Sequence, residues 1–183
     1  MPGPLLNVVQ FHDMGDRGCF EGRRASLING VIVEEGPMNP PHAIAATKTE
    51  DLIRDLFRGA HHVRVAKPLV LGQTTDPEPD VAVVVGKPGD YTSHPHTAVL
   101  VIEVSDTSLA RDITTKAEAY ATGGILDYWV LDVDGRRLLV FRDPVPIPDG
   151  GTAYRTQLTF TETESVAPLA APASPVLVAS MLP

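Results

Sequence analysis

Two carboxylates stand in segments whose apolar residues are typical of buried strands. Asp80 directly precedes the apolar run 81–85, and Glu103 interrupts the apolar run 98–104. Burial of an unpaired carboxylate costs several kcal/mol or forces the group to take up a proton. Each carboxylate therefore needs a partner, which is a cation, a network of hydrogen-bond donors or a metal ion.

Three polar residues downstream of Glu103 fall on one stripe of a predicted helix. Asp112, Lys116 and Tyr120 follow one another at intervals of four residues, which places them on the same helical face. The chain must turn back over the sheet after Glu103, so this helix is placed to bring Lys116 to the two carboxylates. Two carboxylates and an ammonium suit a hard divalent cation that polarises a phosphate, while the lysine orients or deprotonates a water.

The same residues also fit a purely structural interpretation. Asp112 and Lys116 alone form an ordinary surface pair worth a few tenths of a kcal/mol. In this interpretation Asp80 is simply the first residue of a strand, and Glu103 forms an ion pair with an arginine. Spacing by itself favours neither interpretation.

The histidines and the single tryptophan are less informative. His42 opens a predicted helix, where it either contacts the site or is structural. The histidines of segments 61–62 and 94–96 have no third ligand at metal spacing, which favours loop positions. Trp129 lies in a predicted strand, which favours a place in the core over a role in base stacking.

Length and charge restrict the class of protein. The 183 residues predict one main domain. The formal charge of −8 and pI near 5.1 argue against a protein that coats nucleic acid by bulk charge. A local basic strip is compatible with this charge, although the sequence does not show adjacency; its candidates are Arg54, Arg58, Arg64, Lys67 and Arg111.

Cysteine content and hydropathy indicate the compartment. Cys19 is the single cysteine, which excludes an intrachain disulfide and a cysteine-rich zinc site. The first residues show no secretory signal, and no apolar run approaches the ~20 residues that cross a bilayer. We expect a cytoplasmic protein with no membrane contact.

Periodicity and turn residues predict an α/β domain with a mixed central β-sheet, flanking helices and β-hairpins. Asn29-Gly30 and Asp134-Gly135 are typical of two-residue hairpin turns. The predicted helices cover residues 42–57 and 109–121, and the further predicted strands cover residues 63–71, 81–85, 98–104 and 157–160.

Composition divides the chain into three parts. Residues 1–25 are expected to form an irregular arm, residues 26–165 the domain, and residues 166–183 an Ala/Pro-rich tail that docks on the domain or on a partner. The apolar tail and the hairpin edges favour a homodimer.

Five separated motifs resemble the Uma2 (DUF820) family of the PD-(D/E)xK nucleases. They are Pro79-Asp80-Val81; residues 101–105; Asp112 to Lys116 with Tyr120; residues 128–132; and, upstream, residues 27–30 followed by Pro41-His42. The resemblance covers roughly residues 26–141 and implies a restriction-endonuclease-like fold. It implies a nuclease that uses Mg²⁺ or Mn²⁺ and acts on DNA.

The resemblance also implies roles for individual residues. Asp80 and Glu103 become metal ligands and catalytic carboxylates, with the backbone carbonyl of Val104 as a further ligand. Ser105 occupies the place of the superfamily's usual lysine, so Lys116 on the following helix becomes the catalytic lysine. Supporting roles fall to His42, Asp112 and Tyr120.

One departure from the family pattern is visible. Family members often carry acids at the positions of Ser26 and Val31, and the sequence does not select a substitute among Glu34, Glu35 and Glu50. The alternative function is therefore a catalytically weak or inactive interaction module that keeps the nuclease fold. A third alternative is a nuclease whose DNA-binding surface comes from a partner, which would reconcile cleavage with the acidic charge.

Overall fold

A computed structural model describes residues 5–148 and 150–183. The strands are β1 Arg24–Ile28, β2 Val31–Glu35, β3 His61–Val65, β4 Val81–Val85, β5 Leu100–Ser105, β6 Asp127–Asp132, β7 Arg137–Pro146, β8 Thr152–Thr161, β9 Ser165–Val166 and β10 Val176–Leu177. The helices are α1 Val8–Asp16, α2 Pro40–Leu56, α3 Leu109–Arg111 and α4 Ala117–Thr122. A π turn, Asp112–Lys116, joins α3 to α4, and we call the three segments together the 109–122 helix. No helix in these ranges is both long and apolar enough to cross a membrane.

A six-stranded mixed sheet forms the centre of the domain, in the order β3-β4-β5-β6-β7-β8. Strands β5 and β6 run parallel, and the other neighbours run antiparallel. A parallel pair needs a crossover connection, which the 109–122 helix provides. The predicted α/β class with a mixed central sheet is confirmed.

The two faces of the sheet are buried in two cores. One core contains Val83, Ile102 and Trp129 packed with α2, and the other contains Val101 and Tyr128 packed with α4. Trp129 is fully buried, as predicted. Because side chains alternate along a strand, Glu103 points to the same face as Val101, toward the 109–122 helix.

The hairpin of β1 and β2 lies outside the central sheet and packs on the segment that leads to Asp80. Asn29 and Gly30 both have positive φ angles, 50° and 79°, as a tight hairpin turn requires. Leu27 exchanges two backbone hydrogen bonds with Asp76, and the Gly30 N–H donates to the Thr74 carbonyl at 2.7 Å. This packing brings the end of β2 to the start of β4.

Two segments differ from the sequence-based expectations. The strand expected over residues 63–71 ends at Val65, because Ala66 has a φ of 46° and Pro68 cannot donate to a ladder. The segment expected to be an irregular arm contains α1, whose start is stabilised by a capping box between Asn7 and Gln10.

The C-terminal segment packs on the domain. Val176, Val178, Met181 and Leu182 are buried in the core on the α2 side of the sheet. The Lys48 ammonium on α2 also donates to the Leu182 carbonyl at 2.6 Å. The sequence left open whether this tail docks on the domain or on a partner. In the structure it docks on the domain.

Candidate metal centre

Asp80 lies at the start of β4, beside the end of β5. The register pairs Val81 with Ile102, so Asp80 falls next to the β5 residues that follow. The Val104 backbone N–H donates to Oδ2 of Asp80 at 2.8 Å, and Nε2 of His42, in the first turn of α2, lies 3.4 Å from the same oxygen. Asp80 is 8% exposed.

Glu103 projects from β5 toward the 109–122 helix and is buried. The Tyr120 hydroxyl donates to Oε1 of Glu103 at 2.6 Å. The Lys116 ammonium lies 3.2 Å from the same oxygen. Tyrosine and lysine thus both hold one oxygen of this carboxylate.

The π turn brings Lys116 into the site. Its Nζ atom lies 3.2 Å from Glu103, 3.3 Å from Glu35 and 3.4 Å from Asp112. The Tyr128 hydroxyl donates to the Asp112 carbonyl at 2.9 Å inside this wide turn. A single π turn inside an α-helix is a frequent feature of functional sites.

Asp112 fixes the start of the π turn to β5. Its Oδ2 accepts hydrogen bonds from the hydroxyl of Ser105, at 2.8 Å, and from the hydroxyl of Ser108. Its Oδ1 faces Lys116. Ser105, two residues after Glu103, therefore holds the carboxylate that faces Lys116.

Glu35 is the acid that the sequence did not select. It ends β2, and its two oxygens contact Arg111 at 2.8 Å and Lys116 at 3.3 Å. Glu34 instead pairs with Arg23 and Glu50 with Arg54, both away from Lys116. Because side chains alternate along a strand, the sequence of β2 indicates that Glu34 and Glu35 point in opposite directions. It does not indicate which of the two points toward the site, because that depends on how the hairpin packs against β4.

The two positions where the family pattern has acids lie elsewhere in the hairpin. Ser26 is buried, and its hydroxyl accepts a hydrogen bond from the Glu78 N–H at 3.3 Å. Val31 is exposed. Ser26 thus supports the segment before Asp80, and Val31 lies at the surface.

Negative charge exceeds positive charge in this site. Burial raises the pKa of Glu103 to about 8, with the charges of Asp80 and Asp112 adding to the rise and Lys116 opposing it. Burial alone would lower the pKa of Lys116, but the surrounding carboxylates raise it above its usual value. The ammonium of Lys116 therefore stays charged. The excess of negative charge acts on the carboxylates instead, where it raises the pKa of Glu103.

His42 and Asp80 form a second pair of titratable side chains in the site. The hydrogen bond to Asp80 raises the pKa of His42. Burial alone would raise the pKa of Asp80, but the hydrogen bond from His42 and the Val104 N–H lower it below its usual value. Asp80 is thereby held as a carboxylate.

These residues border a cleft of about 70 Å³. Among the described residues, the polar contacts of Asp80 go to Oδ2 and those of Glu103 go to Oε1. Oδ1 of Asp80 and Oε2 of Glu103 are thus available to a ligand, and carboxylate oxygens suit Mg²⁺ or Mn²⁺. Within the described part of the chain no three His, Cys, Asp or Glu side chains form a ready-made metal cluster, so a third donor must come from the backbone, from Glu35 or from water.

Five of the seven residues selected from the sequence line this cleft, and the other two, Asp112 and Tyr120, contact residues that line it. Lys116 contacts Glu103 and Asp112 directly, His42 and Val104 contact Asp80, and Tyr120 contacts Glu103. Two residues that the sequence-based selection omitted, Glu35 and Arg111, complete the ring of charged groups.

Comparison with known proteins gives a family match and a match in fold. The family model Uma2, described as "Putative restriction endonuclease", matches residues 8–177. The chain belongs to the Uma2 family. The crystal structure of a "putative nuclease belonging to DUF820" from Anabaena variabilis is similar to this chain at 14% identity, with a TM-score of 0.65 and coverage of 86% of this chain and 88% of that chain. No curated protein matches the sequence. The Uma2 match begins at the first residue of α1 and ends at the last residue of β10, so Met181 and Leu182 of the C-terminal segment lie beyond it.

Proposed function

We propose that this chain is an endonuclease that hydrolyses phosphodiester bonds of DNA, with Mg²⁺ or Mn²⁺ bound by Asp80, Glu103 and the backbone carbonyl of Val104. Membership of the Uma2 family supports a nuclease. The observation that carries the proposal is the excess of acids around one cleft: its lining contains the acids Glu35, Glu78, Asp80, Glu103 and Asp106 against the cations Arg24, Arg111 and Lys116. A divalent cation balances that excess.

The carboxylates that would hold the cation are already oriented. The Val104 N–H donates to one oxygen of Asp80, and the Tyr120 hydroxyl donates to one oxygen of Glu103. These hydrogen bonds hold the orientation of each carboxylate, and the second oxygen of each is available to a cation. The Val104 carbonyl lies on the same side of β5 as its N–H and so faces Asp80. A bound divalent cation supplies Lewis-acid stabilisation of the charge that builds up on the phosphate oxygens.

Lys116 acts as a charged donor in this proposal. Because its pKa is raised, the ammonium keeps its proton at neutral pH and does not serve as a general base. It orients the attacking water and offsets negative charge on the phosphate. Asp112 and Glu35 position Lys116 through direct contacts.

One observation favours a second candidate, a catalytically inactive interaction module. Lys116 has three N–H donors, and three carboxylates lie within 3.4 Å of Nζ. A lysine fully engaged in this way also suits a charge network that only stabilises the fold. The module is the correct assignment if the protein binds no Mn²⁺ at millimolar concentration.

Nicking of supercoiled DNA in Mg²⁺ or Mn²⁺ tests the proposed function. We expect the parent chain to nick DNA and Asp80→Ala to lose the activity, because the variant loses one of two carboxylate ligands. Asp134→Ala, at an exposed turn, is the matched control and keeps the parent rate. Equal nicking by Asp80→Ala and the parent would refute the assignment.

A further inference from the structure

A second cleft, remote from the carboxylates, is lined by cationic and hydrogen-bonding side chains. It has a volume of about 640 Å³, and none of its described lining residues is Asp or Glu. Its polar lining includes Arg64, Lys67, His12, His94, His96 and Tyr91, which we call the basic cleft. In a chain of charge −8, an acid-free cleft of this kind favours an anionic ligand.

The basic cleft lies at an edge of the central sheet. Its Arg64 belongs to β3, the edge strand, and Lys67 is exposed just after that strand. Burial lowers the pKa of the neighbouring His62, and the charges of Arg64, Arg54 and Lys67 lower it further. Two of the basic residues whose adjacency the sequence left open, Arg64 and Lys67, line the same cleft.

The hydrogen bonds of the cleft leave donors available. The Arg64 guanidinium donates to the Pro68 carbonyl at 3.2 Å and contacts Nδ1 of His94 at 3.3 Å. Because a guanidinium only donates, Nδ1 of His94 is the acceptor and Nε2 carries the proton of that ring. Lys67 and His94 thus both offer N–H groups to an anion.

The basic cleft is connected to the candidate metal centre. It shares His12 and His94 with an intermediate cleft, which in turn shares Arg24 and Glu78 with the metal centre. The three clefts therefore lie next to one another between Lys67 and Asp80.

The intermediate cleft also carries acids, and one of them is paired with a histidine. Its lining includes Asp16, Asp76 and Glu78. Asp76 pairs with His12 at 2.7 Å, and burial raises the pKa of Glu78. Arg23 and Arg24 line the same cleft, so it remains suited to a phosphate chain.

We propose that the basic cleft binds backbone phosphates of the DNA strand whose scissile bond enters the candidate metal centre. This inference rests on the proposed function, since it assigns the surface that holds the flanking part of the substrate. Phosphate contacts position a nucleic acid without reading its sequence. The acidic overall charge is then compatible with DNA binding, because binding uses the basic cleft.

Fluorescence anisotropy with a labelled 20-base-pair DNA duplex in EDTA tests this inference, because EDTA separates binding from cleavage. We expect the double variant Arg64→Gln with Lys67→Gln to bind about tenfold more weakly. The slope of log affinity against log salt should fall by about two. Arg155→Gln, an exposed arginine on β8 at the opposite edge of the sheet, is the matched control and should bind as the parent does.

A second variant keeps the test independent of folding. Lys67 is exposed, so Lys67→Glu should fold normally and still weaken binding more than Arg155→Glu. Equal affinities and salt slopes for the Lys67 and Arg155 variants would overturn the inference. This outcome is distinguishable from failure of the nuclease proposal. If only the nuclease proposal fails, the parent binds the duplex through Arg64 and Lys67 but does not cleave DNA in Mn²⁺.

Discussion

Glu103 is the residue whose protonation the site most strongly affects. Its carboxyl is buried on β5, among the charges of Asp80, Asp112 and Lys116. Without a bound metal, the free energy of the site favours a proton on this carboxyl. A bound cation would favour the ionised form of Glu103, which is one of the two carboxylates that we propose as metal ligands.

This state of Glu103 predicts a pH dependence of stability in the metal-free protein. The folded-state pKa of about 8 lies above the ordinary value of 4.5, so the folded state binds more protons than the unfolded state between these limits. The free energy of unfolding therefore falls as pH rises through this window, by up to about 1.4 kcal/mol per pH unit. Urea unfolding of the parent and of Glu103→Gln in EDTA, at several pH values, measures the difference.

Glu103→Gln should lose this part of the pH dependence, because glutamine does not titrate. The comparison between variant and parent removes the contributions of other groups. Parallel curves of unfolding free energy against pH for the two proteins would show that Glu103 titrates at an ordinary pKa.

At the scale of elements, the hairpin of β1 and β2 completes the site. Glu34 and Glu35 are neighbours on β2 with different surroundings: Glu34 pairs with Arg23 at the surface, and Glu35 contacts Lys116. The two residues form a matched pair for mutagenesis. The same substitution removes one negative charge at either position, but only the substitution at Glu35 removes a contact with Lys116.

Glu35→Gln should lower the rate of DNA nicking by about tenfold or more, because Lys116 loses a charged contact that positions it. Glu34→Gln should stay within about twofold of the parent. Steady-state nicking by both variants in Mg²⁺ measures the effect. A similar rate for the two variants would mean that Glu35 has no part in the activity.

The strands and the crossover helix could be predicted from sequence because each has a local signal. The runs around Asp80 and Glu103 are apolar enough to specify buried strands, and the spacing of Asp112, Lys116 and Tyr120 specifies one helical stripe. The π turn has no such signal, because its stability depends on contacts such as the Tyr128 hydroxyl to the Asp112 carbonyl.

The contributions of Glu35 and the basic cleft could not be predicted, since they depend on contacts between distant parts of the chain. Glu35 reaches Lys116 across 81 positions of sequence only because the hairpin packs on residues 73–78. His12 and Arg64 likewise line one cleft through tertiary packing.

At the scale of the whole molecule, the C-terminal segment is part of the domain core. Met181 is fully buried, whereas Leu177 in the same segment is 45% exposed. The Ala/Pro-rich composition of this tail gave no local signal for burial, because the few apolar residues that pack are separated by prolines and small residues.

Met181→Ala should lower the free energy of unfolding by about 2–5 kcal/mol, since it leaves a cavity in the core. Leu177→Ala should lower it by less than about 1 kcal/mol. Urea unfolding of the two variants provides the comparison. Equal effects would mean that the segment does not pack on α2 and the sheet in solution.

Binding of Mn²⁺, followed by electron paramagnetic resonance, tests the central claim most directly, because it requires no knowledge of the DNA sequence that is cut. The parent chain should bind Mn²⁺, and Asp80→Asn and Glu103→Gln should each weaken binding by more than about tenfold, whereas the surface variant Asp134→Asn should not. Binding of Mn²⁺ by Asp80→Asn with the affinity of the parent, or no binding by the parent at millimolar Mn²⁺, would contradict the account.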